Sequence, residues 1–177
     1  FTHVLAGPMC TRILSDLGAE VIKLESAPTG DMARGMFHVD HAQSAMFQYT
    51  CAGKKSVCVD LKQSDGLRLA KELVAKVDVV VENFAPGVMK KLGLDYAVLK
   101  EINPKLIMAS ISGFGQTGPW ADRTSFDIIG QAMSGVMHMT GEPNGPPQYV
   151  GNYIGDPNAG VHAALRSEEH TSELQSP

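Results

Sequence analysis

Hydrophobic and polar positions along the chain change period several times. Residues 19–25 (AEVIKLE) set apolar Val21 and Leu24 among charges and run into Ser26-Ala27-Pro28-Thr29-Gly30, which predicts a strand and a turn. Residues 56–61 (SVCVDL) predict a second strand. Residues 78–82 (DVVVE) and 106–111 (LIMASI) are near-continuous apolar runs, the signature of strands buried on both faces of a parallel sheet. Helical spacing fills the intervals. Residues 8–17 predict a helix with Pro8 near its start and Gly18 at its stop. Residues 66–76 place Leu69, Leu73 and Val77, or Ala70 and Val74, on one face. Two shorter helices follow, 88–92 stopped by Gly93 and 96–102 stopped by Asn103-Pro104. Residues 28–53 carry no clear period and predict a long loop or an irregular helical excursion, a length that in compact domains is often functional.

Strand, helix and strand in this alternation predict an α/β fold with a Rossmann-like parallel sheet and flanking helices. The chain opens inside an apolar segment, so the expectation is that an earlier strand is missing and that the fold is truncated at both ends. Such sheets bind ligands at the carboxyl ends of their strands. Three such ends are legible as loops: Ala6-Gly7-Pro8, residues 83–87 and residues 112–119. A fourth is Gly155-Asp156, where the stretch YVGNYIGDPNAGVHAAL turns into a small-residue helix over 159–165. A carboxylate there is expected to be held ionised by backbone N–H groups and the positive helix end. Taken alone, the same Asp156 reads first as an N-cap.

Charge and composition narrow the picture. In 177 residues, 44% hydrophobic and 19% charged content is ordinary for a globular domain. A net charge of −4 with no basic stripe argues against nucleic acid as a partner. No apolar run reaches the roughly 20 residues of a membrane span, and no charged-then-apolar leader opens the chain. Cys10, Cys51 and Cys58 are odd in number and lack metal-type spacing, which points to reduced thiols and a cytoplasmic setting. Residues 166–177 (RSEEHTSELQSP) turn abruptly polar and acidic and resemble the translation of a sequencing adapter, so a non-native tail is expected there. Setting aside Arg166, Glu168, Glu169 and Glu173 leaves 14 basic and 16 acidic residues, a net of −2. The native domain is then residues 1–165.

Familiar catalytic motifs are absent. Gly113-Phe114-Gly115 with Gly118 has the letters of a dinucleotide loop, but Pro119 and the polar run after it do not open a helix, so a tight loop is the first reading. The six His residues are scattered, and Met36, Met133, Met137 and Met139 are expected to fill core gaps.

Taken together, the pieces resemble the family III CoA-transferases. The matching residues are His3-Val4-Leu5-Ala6-Gly7-Pro8, the run LGAEVIKLE from Leu17, Gly30-Asp31, Lys54-Lys55-Ser56 and Asp60-Leu61-Lys62. They continue with Val81-Glu82-Asn83-Phe84, Pro86-Gly87, Ile102-Asn103-Pro104, the run SISGFG from Ser110, and Gly155-Asp156. The resemblance covers nearly all of residues 3–165. It implies coenzyme A as the carrier, an acyl-CoA and a small carboxylic acid as partners, no metal, and an interlocked homodimer. The catalytic Asp of the family falls on Asp156. The resemblance places CoA along Val4, Leu5 and Ala6, near Val59 and Lys62 at the adenosine phosphate end, and beside Asn83, Phe84 and Val88, with Lys91 as a second phosphate partner. Ser26 and Ser112 depart from relatives that carry Arg and Lys at those positions. His38, His41 and Met36 are candidates for the acyl pocket. The residues thus imply an N-terminal fragment, inactive alone, of an enzyme moving CoA between acids. The α-methylacyl-CoA racemases share the fold but place a His just before an Asp-Ile pair; here that position is Phe126, which cannot carry a proton. A non-catalytic CoA-binding module is the remaining alternative.

Overall fold

The computed structural model describes residues 1–39 and 43–175. His41, one of the acyl-pocket candidates, lies outside the described residues. Helix α1 (Ala6–Asp16) ends through Leu17 and Gly18, the latter at φ 103, a left-handed stop that glycine adopts without strain. Strand β1 (Ile22–Ser26) then pairs in parallel with β4 (Lys55–Val59), in register from Ile22↔Lys55 to Ser26↔Val59. Helix α3 (Ser64–Val74) leads to β5 (Val79–Glu82). Beyond it, α4 (Val88–Lys91) and α5 (Tyr96–Ile102) carry the chain to β6 (Ile107–Ser110), parallel to β5 from Val79↔Ile107 to Glu82↔Ser110. The α/β architecture with parallel strands and flanking helices is the one the periodicity predicts.

The valine run of β5 shows why it carries no polar alternation. Val80 (4% exposed) belongs to a core with Phe1, Ala70, Val74, Met89, Leu94, Leu99 and Leu106. Its neighbour Val81 (6%) points to the other face and a second core with Cys10, Leu14 and Ala164. Burying each such side chain is worth roughly 1.5–3 kcal/mol. A strand covered by helices on both sides has no solvent face to keep polar.

Among the described residues the parallel strands fall in two pairs, β1–β4 and β5–β6. A cleft of about 550 Å³ is lined by Ile22, Leu24, Val79 and Val81 among others, with Phe1 and Thr2 at its wall. Among the described residues of 28–53, the irregular helical excursion forms and not a plain loop. Asp31 caps a 3₁₀ turn (Met32–Gly35), β2 (His38–Val39) pairs antiparallel with β3 (Gln43–Ser44), and Ser44 accepts a hydrogen bond from the Phe47 N–H to start α2 (Ala45–Cys51). Caps rather than periodicity build these short elements. One expectation is corrected: Met133 and Met139 do not fill a core; they are 56% and 78% exposed. Helix α6 (Asp127–Met133) buries Asp127 and Gln131 instead and turns Met133 outward.

Helix α7 (Gly155–Gln175) starts four residues earlier than the small-residue pattern suggests. Pro157 sits in its first turn, where a missing N–H costs nothing. No strand precedes it. α7 crosses α1 at close range through Gly160: a Cβ there would lie 2.7 Å from the Ala6 carbonyl oxygen and 2.9 Å from the Met9 Cβ. Backbone cannot retreat cheaply in such a contact. Gly160→Ala is therefore expected to lose about 1–3 kcal/mol from overpacking, despite alanine's helix propensity advantage of about 1 kcal/mol. Urea unfolding checks this, and an unchanged or raised midpoint refutes the contact.

Candidate active site

The site grows from the way residues 1–4 are held between the two strand pairs. The Phe1 backbone nitrogen donates to the Val81 carbonyl at 3.1 Å. The Asn83 side chain brackets His3, accepting from its N–H and donating to its carbonyl, each at 2.9 Å. From β1, Lys23 donates to the Thr2 carbonyl at 2.8 Å. Asp31 accepts from the Val4 N–H at 3.0 Å. These bonds bring the ends of β1 and β5 to the start of α1. The His3 ring stacks on Phe84, with centroids 5.5 Å apart and planes 19° from parallel. Gly7 has no room for a side chain, since a Cβ would meet Thr2 at 2.6 Å and Asn83 Oδ1 at 2.7 Å.

Val4, Leu5, Ala6, Asn83 and Phe84 therefore form one constellation. Leu5 and Ala6 are buried, while Val4, Asn83 and Phe84 are half-buried. Half-buried Val88 opens α4 one turn further on, behind Gly87, whose φ of 80 makes the turn. Beside it lies a cleft of about 1110 Å³, lined by Phe84, Pro86, Lys90, Tyr96, Ser110 and Gln116 among others. Val59 is buried at the end of β4, and Lys62 and Lys91 are exposed in the segments after β4 and in α4. No bond joins these last three to the His3–Phe84 group among the described residues. His38 is exposed and Met36 half-buried.

Asp156 is the second residue of α7, not its N-cap. Its side chain is half-buried, and its backbone N–H donates to Asp127 Oδ1 at 2.9 Å. Asp127 is 4% exposed, and its Oδ2 accepts from Gln131 Nε2 at 2.6 Å. The Gln131 amide (1% exposed) also donates to the Asn152 carbonyl at 3.1 Å and accepts from the Val150 N–H at 3.1 Å. One carboxylate and one amide, spaced i and i+4 on the inner face of α6, thus fasten the whole approach to Asp156. Gly155 permits it: a Cβ there would press on Asp127 Oδ1 at 3.3 Å. A side chain at Gly113 would overlap Ser125, so the loop after β6 closes against the start of α6. Gly160, one helical turn beyond Asp156, is the residue in contact with Ala6, so Asp156 lies about one turn from the start of α1.

The Asp156 carboxyl is shifted upward, not downward as a helix end alone would shift it. Burial first, and the nearby Asp127 charge second, push its carboxyl up to about 6. The helix end does not hold it low. At pH 7 it is still about nine-tenths ionised. Asp127 and Gln131 are the residues that sequence reasoning missed. Their signal was present as a polar i, i+4 pair in an otherwise apolar helix, DIIGQAM.

The profile of CoA-transferase family III matches residues 1–166, and the chain belongs to that family. Among relatives, the acetyl-CoA:oxalate CoA-transferase of Acetobacter aceti is 50% identical over 150 residues, covering 85% of this chain and 39% of that protein. The succinate–glutarate CoA-transferase of Agrobacterium fabrum is 45% identical over 168 residues, covering 91% of this chain and 42% of that protein. The crystal structure of a CAIB/BAIF family protein from Brucella suis superposes with a TM-score of 0.92 at 42% identity, over 98% of this chain and 47% of that one. The chain thus spans about 40% of the length of the curated relatives it matches. Among the described residues, no helix is long and apolar enough to cross a membrane.

Because the Asp156 pKa is raised, the fold favours its protonated form. The cost of carrying the charge is absent below the ordinary carboxylate range, grows as pH rises through about 6, and is complete above it. Partial exposure screens that cost to about 1 kcal/mol. Asp156→Asn is expected to raise Tm by about 2–4 °C at pH 7.5 and to have little effect at pH 4. Thermal melts across this range test it, and a destabilised variant at pH 7.5 contradicts the buried-charge account.

Proposed function

We propose that the protein carrying this chain transfers CoA from an acyl-CoA thioester to a small carboxylic acid, with Asp156 as the nucleophile. The observation that carries the reading is Asp156 itself: a half-buried carboxylate pushed up to about 6, anchored by Asp127, one helical turn from the contact with Ala6. A carboxylate of raised basicity that remains ionised at neutral pH is matched to nucleophilic work.

In this mechanism an Asp156 oxygen attacks the thioester carbonyl carbon, the C–S bond breaks and the CoA thiolate leaves a mixed anhydride. The thiolate then attacks the Asp156 carbonyl carbon and expels the donor acid, giving an aspartyl-CoA thioester. The acceptor carboxylate attacks that thioester, and CoA thiolate departs again. Its attack on the acceptor acyl carbon releases acyl-CoA and restores Asp156. No step requires a general base. Backbone N–H groups near the start of α7 are candidate donors to the developing oxyanions. Val4, Leu5, Ala6, Asn83, Phe84 and Val88 would hold the CoA, with Val59 and Lys62 at the adenosine phosphate end and Lys91 as a further cation. The clustering of His3, Val4, Asn83 and Phe84 at the strand ends supports this. The small acids in the relatives' names, oxalate and glutarate, support a small acid as acceptor.

The same reading includes a homodimer, supported by the apolar side chains that α6 and its flanks leave outward: Phe126 is 75% and Ile128 50% exposed. It includes a cytoplasmic setting, supported by three free cysteines. It assigns the chemistry to residues 1–165 and none to residues 166–177.

In the full-length protein, Asp156→Asn is expected to lower CoA exchange at least about 1,000-fold while leaving the CoA dissociation constant within a few-fold. Intact-mass analysis of the wild type after incubation with acyl-CoA should reveal a CoA adduct on Asp156. Its rate of formation should fall about tenfold per pH unit below about 6 and level off above, because only the ionised carboxylate attacks. Exchange by Asp156→Asn at the wild-type rate would sink the covalent route.

A further inference from the structure

Val4 is the outlier of the site. It is β-branched, yet its backbone lies at φ 61, in the left-handed region that such residues rarely enter. Backbone strain of this kind persists where the surroundings over-determine it, and it concentrates at ligand clamps. Here the determinant is visible. Asp31 accepts the Val4 N–H on Oδ1 at 3.0 Å and the Ala33 N–H on the same oxygen at 2.8 Å. Its other oxygen is in ion contact with Lys23 Nζ at 2.6 Å, without the alignment of a hydrogen bond. The two side chains are 0% and 2% exposed. Lys23 in turn donates to the Thr2 carbonyl, so the pair grips the segment on both sides of His3. The grip is itself braced. The Asp31 N–H donates to Glu25 Oε2 at 2.9 Å, and Glu25 is held by two Arg34 contacts of 2.7 Å and by Ser56 Oγ at 2.6 Å.

A buried ion pair is expensive to assemble and is poor evidence of stabilisation for its own sake. Desolvation alone would raise the Asp31 carboxyl; Lys23 and the N–H groups of Val4 and Ala33 outweigh it and hold it below the ordinary value. A carboxylate so fixed in charge and place can impose a backbone conformation that the residue itself disfavours.

We propose that the buried Lys23–Asp31 pair is a positioning device that keeps Val4 left-handed, so that the backbone of Val4, Leu5 and Ala6 at the start of α1 is preset to receive an acyl-CoA. The proposal rests on the assignment of that backbone to CoA binding. Lys23 and Asp31 act through Val4 and are positioning residues.

The test uses the full-length protein, with CoA as the probe in calorimetry and acyl-CoA in steady-state kinetics. Asp31→Asn keeps the size of the side chain and an acceptor oxygen but removes the charge that Lys23 fixes. It is expected to weaken CoA binding about tenfold and to raise KM for acyl-CoA similarly, with kcat within about twofold. Adding Val4→Gly should recover most of that loss, because glycine adopts φ near +60° without a clamp. A merely structural role for Asp31 would not be rescued this way. Val4→Pro, which locks φ near −65° and lacks the N–H, provides a variant whose folding does not depend on an unpaired buried Lys23; it should bind CoA more than tenfold more weakly. Wild-type affinity in Val4→Pro, or a loss in Asp31→Asn that Val4→Gly leaves unrepaired, overturns the clamp. A wild-type protein that fails to bind CoA overturns the CoA reading and the clamp together, whereas unchanged affinity in variants of a protein that does bind it overturns the clamp alone.

Discussion

Side chains from both strand pairs converge on the backbone segment that leads into α1, and the site depends on that convergence. β1–β4 and β5–β6 are two parallel pairs, and residues 1–4 lie between them. Lys23 and Asp31 reach that segment from one pair, and Asn83 reaches it from the other. Side-chain brackets concentrate the task in a few polar groups, each costly if left unpaired. The consequence is local rigidity at the strand ends, which is where an open α/β sheet meets its ligand.

A second constraint is the pair of carboxylates at the start of α7. Two like charges drawn together in a partly desolvated place compete for ionisation. Asp127 is the more buried of the two and engages both the Asp156 N–H and Gln131 Nε2. Asp156 is the partner whose carboxyl is pushed up. The arrangement separates an anchor from a candidate reactive group using one residue type, with environment setting the difference. It also shows how an N-terminal helix position can hold a carboxylate of raised pKa: burial and a neighbouring anion outweigh the favourable helix end.

The strands and most helices were legible because their signals are local. DVVVE and LIMASI read as doubly covered strands, and both lie in a parallel pair with helices around them. What was not legible was of two kinds. Short capped elements such as Met32–Gly35 and Ala45–Cys51 arise from single polar contacts, Asp31 to Ala33 and Ser44 to Phe47, which leave no period to detect. The role of Asp127 and Gln131 and the strain at Val4 are tertiary: each depends on residues distant in sequence, 27 positions apart for Val4 and Asp31 and 29 for Asp127 and Asp156. The order of capping and chemistry at Asp156 was also not decidable from the local stretch. Position 156 lies inside the first turn, so the capping reading falls on geometry that the letters GDPN do not specify.

Phe126 ties these threads together. It precedes Asp127, serves as the N-cap position of α6 without a side-chain cap bond, and is 75% exposed beside the segment that leads to Asp156. A proton-shuttling side chain at this position would share the helix start that Asp127 anchors. A phenyl ring has no transferable proton, and Asp127 is already engaged in two hydrogen bonds. Proton abstraction from carbon asks for a positioned acid–base side chain, whereas attack on a thioester carbonyl asks only for an ionised oxygen and room to approach. The proposed chemistry is therefore favoured as much by the side chain at 126 that cannot carry a proton as by the carboxylate at 156 that can attack.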